Sequence, residues 1–403
     1  MKTSRFGYAV LTILGLTVGS SLASPAVIQK TPDYVLIGWN SLGMHCINPT
    51  YDKLVILPPA NTLMVQVIKR GDPPVIVTKG LDLSYKVENN DSSVDHCNFW
   101  DFADQLFGVT LSPGVGLTGN RLKGALVVNG DHFEATAIPV LPYNNNGTWN
   151  PYQVAQVTLK DKRGTVQTTR VVLPVSDELH CDQCHADGGD GTMNIVSTPS
   201  IEENILRAHD YLHPELKLAE SQPVLCASCH ADPALGAPGK AGTKNLSLAM
   251  HGWHKQFSDA TCYSCHPGPQ THCLRTAIAN MGHVDEDPNC QRCHGTMDQL
   301  AAGLESGRQP WAEEPTCAQC HGQVFDTKGV LYRESAGHGG VRCTTCHNSP
   351  HAWWPSQLAV DNIQPIRLQG SPRAVRDCAI CHTKPQPGTS PHPPHGPGVP
   401  AAL

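Results

Sequence analysis

After residue 180 the chain repeats one five-residue unit seven times: two cysteines three apart, with histidine immediately after the second. The units are CDQCH (Cys181, Cys184, His185), CASCH (Cys226, Cys229, His230), CYSCH (Cys262, Cys265, His266), CQRCH (Cys290, Cys293, His294), CAQCH (Cys317, Cys320, His321), CTTCH (Cys343, Cys346, His347) and CAICH (Cys378, Cys381, His382). At this chain's cysteine and histidine content, chance would produce about 0.04 copies. From each histidine to the next unit there are 40, 31, 23, 22, 21 and 30 residues. No segment of that length builds a hydrophobic core of its own. Whatever the cysteines hold must supply the buried mass, with short helices and Pro/Gly-rich loops wrapped over it.

The spacing matches one chemistry. Two thiols about one helical turn apart reach the two vinyl groups of a single porphyrin and form thioethers, and the adjoining histidine sets its imidazole under the iron. Zinc ribbons also use C-x-x-C pairs, but seven pairs each followed directly by histidine, in a chain read as exported, favour haem. On these motifs, residues of about 178 to 390 resemble the multihaem c-type cytochromes. The motifs are specific for haem attachment and not for one family within that group. The resemblance implies seven covalently attached haems c, closely packed, that pass electrons in the periplasm or at the cell surface and meet other redox proteins.

Each haem with one axial histidine needs a second ligand or leaves that position open, and the choice separates electron transfer from chemistry on a small molecule. His209, His213, His251, His254, His272, His283, His338 and His351 are eight candidates for seven positions. His209 and His213 are four apart and His251 and His254 three apart, so each pair projects from one helix face. His180 directly precedes Cys181 and can serve only another haem, and His392 and His395 lie in a Pro-rich tail. Met250, Met281 and Met297 are alternatives that would raise a haem's potential. None of the motifs is C-x-x-C-K, the variant that resembles the catalytic haem of multihaem nitrite reductases.

In the stretch CYSCHPGPQTHC, Pro267 and Pro269 set the chain direction, His272 is a distal candidate, and Cys273 is left over. Three readings of Cys273 stay open: an inert buried thiol, a disulfide to Cys46, Cys97 or another subunit, and a thiolate on iron.

The first residues, MKTSRFGYAVLTILGLTVGSSLASPA, read as a signal peptide over 1–23: Lys2 and Arg5, an apolar run too short for a comfortable membrane span, then a cleavage site at Ser21-Leu22-Ala23. A soluble, exported protein without a transmembrane anchor is expected, in a compartment where disulfides persist. Net charge is −6 without a basic cluster, which argues against a nucleic-acid partner.

Residues 24–177 carry no motif. Short β-branched runs recur there: YVLIGW (34–39), KLVIL (53–57), TLMVQVIK (62–69), PVIVT (74–78), LKGALVV (122–128), HFEATAI (132–138), YQVAQVTLK (152–160) and TVQTTRVVL (165–173). The last two flank Asp161-Lys162-Arg163-Gly164 and predict a hairpin. Met44, His45 and Cys46 in GMHC, with His96 and Cys97 in DHCNFW, raise a blue-copper reading, although the single late Cys/His/Met loop of such sites is missing. The plainer alternative is a Cys46–Cys97 disulfide beside histidines that are structural or ligate a haem.

The expected architecture is a β-sandwich-like amino-terminal domain (24–177), then a haem-cored, mostly irregular and α multihaem cytochrome domain (178–390) and a Pro-rich tail (391–403). The expected function is electron carriage. An oxidoreductase acting on a small nitrogen or sulfur compound, and a subunit of an extracellular cytochrome filament or other homo-oligomer, stay open.

Overall fold

A computed structural model describes residues 32–91, 93–188, 196–268, 275, 288–318 and 322–387. The amino-terminal region is mostly β. Its longest strands follow the alternation that buries one face. In β6 (Leu81–Val87), buried Leu83, Tyr85 and Val87 alternate with exposed Asp82, Ser84 and Lys86. In β10 (Tyr152–Asp161), Gln153, Ala155, Val157 and Leu159 are the buried set.

Two five-stranded sheets result. One runs β1 (Tyr34–Asn40), β4 (Asn61–Lys69), β9 (His132–Ile138), β8 (Val127–Asn129), with β5 (Val75–Ile76) on β4. The other runs β2 (His45–Cys46), β11 (Val166–Ser176), β10, β6, β7 (Lys123–Ala125), with β2 parallel to β11. A single apolar cluster draws on both, including Leu36, Leu63, Val65 and Phe133 from the first and Tyr85, Val157, Leu159 and Leu173 from the second. A short parallel pair, β3 (Leu54–Val55) with β12 (Val224–Leu225), ties the motif region back to this part of the chain.

The predicted hairpin is present, with Tyr152 opposite Pro174 and Lys160 opposite Val166. Its turn closes because Asp161 Oδ1 accepts from the backbone N–H groups of Arg163 (2.9 Å) and Thr165 (2.8 Å) while Gly164 takes φ +79°. Three details depart from the sequence reading. The run LKGALVV breaks into β7 and β8, one in each sheet, with Leu126 buried where the chain crosses over. Leu81–Val87 is a strand that the reading omitted because only alternate residues are apolar. Helix α1 (Phe99–Phe107) was also missed; Phe99, Ala103 and Leu106 lie on its buried face and Gly108 ends it in the left-handed conformation.

All seven residues of β1 are buried, because both of its faces are covered. Leu36 faces the core between the sheets, whereas Val35 and Ile37 pack with Trp354, Val375 and Ile380 of the motif region. The edge of β1 is closed by Gln364, whose amide accepts from Gly38 N (2.9 Å) and donates to Gly38 O (2.7 Å). The described residues from Asp33 onward form one compact unit. Short helices and 3-10 turns make up most of the regular structure after residue 177.

Candidate haem sites

Four of the described motifs fold as the same tight turn, and the fourth and sixth lie in short α-helices (Pro288–His294 and Cys343–His347). In the first, second, third and seventh, the histidine N–H donates to the first cysteine's carbonyl at 2.8, 3.0, 2.9 and 2.8 Å, and the second cysteine's N–H reaches that oxygen at 3.2 Å. This turn presents two thiols and an imidazole together, as attachment at two points of one ring requires. Neither cysteine of the first, second, sixth or seventh motif is in a disulfide.

Four of the motif histidines face histidines from outside the motifs. His230 faces His209, His266 faces His251, His294 faces His351, and His382 faces His338, with ring centres 6.4, 6.1, 6.2 and 6.2 Å apart. Two imidazoles bonded at about 2 Å on opposite sides of one metal have ring centres about 6 Å apart. Every one of these four pairs joins a motif histidine to a non-motif histidine. The ring planes range from 10° to 76° to each other, so stacking does not set the common distance.

Protonation suits ligation as well. Nδ1 of His230 lies 2.8 Å from Lys244 O, Nδ1 of His251 lies 2.8 Å from Ser247 O, and Nδ1 of His382 lies 3.0 Å from Asp72 Oδ1. A carbonyl accepts only, so the proton sits on Nδ1 in the first two and Nε2 keeps its lone pair for a metal. His266 is accessible to water, yet burial, with His251 and His294 beside it, brings its pKa down to about 4. His351 is likewise held at about 4, by burial and then by His294, Arg275 and His266. These neutral imidazoles fit the axial positions of haem.

Of the helix pairs, His209 faces His230 while His213 lies at the helix end, its side chain 54% exposed near Glu215. His251 faces His266, whereas His254 packs by Phe257 and hydrogen-bonds Met250 O. His338 and His351 flank the sixth motif in sequence but face the seventh and fourth. Met297 begins a helix that Thr296 caps. His272, Cys273, Met281, His283, Cys320, His321, His392, His395 and the leader lie outside the described residues.

The motifs are also neighbours of one another. Burial pushes the Cys181 thiol up to about 12, and Cys265 adds to it; burial and then Cys184 raise Cys265. Burial takes Cys226 to about 12, with Asp232, Cys229 and Cys181 contributing. His266 feels His294. Burial raises Cys317, helped by Cys343, Glu314 and Cys293, and Cys346 is pushed to about 12 by burial and then Cys381. Groups of the first motif therefore lie near those of the second and third, the third near the fourth, the fifth near the fourth and sixth, and the sixth near the seventh.

Copper finds no site here: among the described residues no group of three or more His, Cys, Asp or Glu side chains is arranged to hold a metal ion. His96 stacks on Tyr143, and Cys46 and Cys97 are not joined in a disulfide. The Cys97 thiol is pushed to about 11, chiefly by burial.

The sequence singled out His45 but not its surroundings, and it carried no signal for the Arg275–Asp361 pair or for Asp72. His45 hydrogen-bonds the Ala60 backbone and keeps a buried Nε2 without a hydrogen-bond partner, with burial and Arg275 lowering its pKa to about 3. Arg275 and Asp361 form a fully buried ion pair, and Arg275 also donates to Gly43 O at 2.6 Å. Gly43 has φ +81°, and a Cβ there would meet Pro350 O at 1.9 Å, so only glycine permits this approach. Asp72 sits on the proximal His382.

Repeated cysteine–histidine turns facing second imidazoles are the arrangement of a multihaem electron-transfer cytochrome. A family model described as cytochrome c7 and related cytochrome c matches residues 305–383, the stretch holding the fifth, sixth and seventh motifs. That family is one of multihaem cytochromes, and it implies covalently bound haem c. Comparison with curated proteins gives no match. Among the described residues no helix is long and apolar enough to cross a membrane.

Proposed function

We propose that the chain is an exported heptahaem c-type cytochrome that carries electrons between redox partners in the periplasm or at the cell surface. Haem c, when bound, supplies a reversible one-electron couple. The observation that carries the reading is imidazole facing imidazole at each of the four described pairs. Cys181, Cys184, Cys226, Cys229, Cys262, Cys265, Cys290, Cys293, Cys317, Cys320, Cys343, Cys346, Cys378 and Cys381 hold the rings. His185, His230, His266, His294, His321, His347 and His382 are the proximal ligands, and His209, His251, His351 and His338 close the second, third, fourth and seventh sites. With both axial sides taken, a site has no room for a substrate and is suited to transfer alone.

Motif groups that lie near one another, such as His266 beside His294 and Cys346 beside Cys381, support passage of electrons from site to site. Neighbouring side chains hold successive sites close, so little protein separates one from the next.

Two measurements on the mature protein test this. Intact mass under denaturing conditions should exceed the polypeptide by seven haems. The visible spectrum of the dithionite-reduced protein should be unchanged by carbon monoxide. A smaller mass gain would correct the haem count, and a carbon monoxide shift of about one haem in seven would favour the oxidoreductase reading.

A further inference from the structure

The β region reaches into the seventh site and touches its proximal ligand. Beyond β4 the chain runs beside residues 379–383, with Gly71 N donating to Cys381 O at 3.1 Å and Arg70 Nη2 to Ala379 O at 2.7 Å. This brings Asp72 Oδ1 to 3.0 Å from His382 Nδ1. The carboxylate is clamped by two further donors, Thr383 Oγ1 on Oδ2 at 2.7 Å and Gln386 Nε2 on Oδ1 at 3.0 Å. The His382 and Asp72 side chains are 15% and 14% exposed, although Asp72 itself lies at the surface of the chain. A carboxylate that accepts three hydrogen bonds is an anion at neutral pH.

An imidazole that donates to a carboxylate is a stronger base toward its metal than one that donates to a neutral carbonyl. Stronger donation and a nearby negative charge both favour the oxidised iron. At the second motif, His230 donates to the neutral carbonyl of Lys244. We infer that Asp72 is a positioning residue that orients His382 and holds the seventh-motif haem at a lower reduction potential than the second-motif haem. The inference rests on the multihaem reading proposed above.

The test is a spectropotentiometric titration of the full haem-loaded protein against Asp72→Asn and Asp72→Glu, with haem content measured on each. In Asp72→Asn one component, about one-seventh of the absorbance change, should move to higher potential while the others stay. Asp72→Glu should keep that component low. Unmoved potentials with unchanged haem content would overturn the inference, as would a common shift of all components. If Asp72→Asn sheds the seventh haem, Asp72→Glu decides: haem retained at low potential supports the charge, and haem retained at raised potential counts against it. Loss of that haem in both variants overturns the inference in favour of a purely structural contact. Wild-type protein without covalent haem would instead overturn the underlying reading.

Discussion

Between the two sheets, Leu63, Val65, Leu159 and Leu173 are buried against one another. In the motif region the rings of His266 and His251 stand 6.1 Å apart across a gap. Among the described residues no buried apolar cluster is built from the motif region alone; where that region contributes, as Trp354, Val375 and Ile380 do, it packs on β1 and β4. The β region folds on its own side chains, which desolvate one another. The motif region is held by short turns, by its contact with the β region and, on the reading proposed here, by porphyrins. One chain thus solves the problem of burial twice, once with amino acids and once with a cofactor.

The largest effect expected from this contrast comes from withholding haem. Chain made without haem attachment should lose protection of residues after about 178 to limited proteolysis, while the β region survives as a fragment. Equal protection of both regions would break the comparison.

Next in size are the packed and paired interiors. Asp361→Ala leaves the Arg275 guanidinium buried and uncompensated, and should cost about 3–5 kcal/mol in denaturant unfolding. Leu159→Ala should cost about 2–5 kcal/mol while leaving the haem spectrum unchanged. A spectral change with Leu159→Ala would mean that the two regions are not energetically separable.

The axial assignments give a finer test. His251→Ala should convert about one haem in seven to a carbon monoxide-binding form, whereas His254→Ala, beside it on the same helix, should not. His351→Ala should open the fourth site and leave the sixth, which His351 adjoins in sequence, unaffected. The reverse pattern in either case would redraw the pairing.

The smallest effect expected is at the rim. Asp131 takes hydrogen bonds from Arg342 and His132; burial opposes its ionisation, yet these partners bring its pKa below the ordinary value. A depressed carboxyl contributes stability that is fully present above its unfolded pKa, about 3.9, and is lost as pH falls through the folded value. Half-exposed pairs of this kind contribute about 0–1 kcal/mol. Asp131→Asn should therefore weaken the protein slightly at pH 7 and flatten the loss of stability below pH 4, read by thermal unfolding against pH.

The seven Cys-x-x-Cys-His repeats and the β character of the first third were legible in the sequence because both depend on local spacing. Cys-x-x-Cys-His closes a single turn from within, and alternation in YQVAQVTLK needs only neighbouring residues. The hairpin was legible for the same reason, through Asp161 and Gly164. Helix α1 was hidden because Trp100, Phe102 and Phe107 blur the helical spacing of its buried face, Phe99, Ala103 and Leu106.

What spacing could not reach is which groups meet across the fold. His351 follows the sixth motif by four residues and faces the fourth; His338 precedes the sixth and faces the seventh. Asp72 lies 310 residues from His382, and Arg275 lies 86 from Asp361. By itself the sequence determined how many Cys-x-x-Cys-His repeats there are and which imidazole adjoins each cysteine pair, since those groups share a few bonds of backbone. Only the tertiary structure decided which second histidine faces a motif histidine and which charge lies beside His382, because contacts between distant segments are set by how the whole chain closes around its interior.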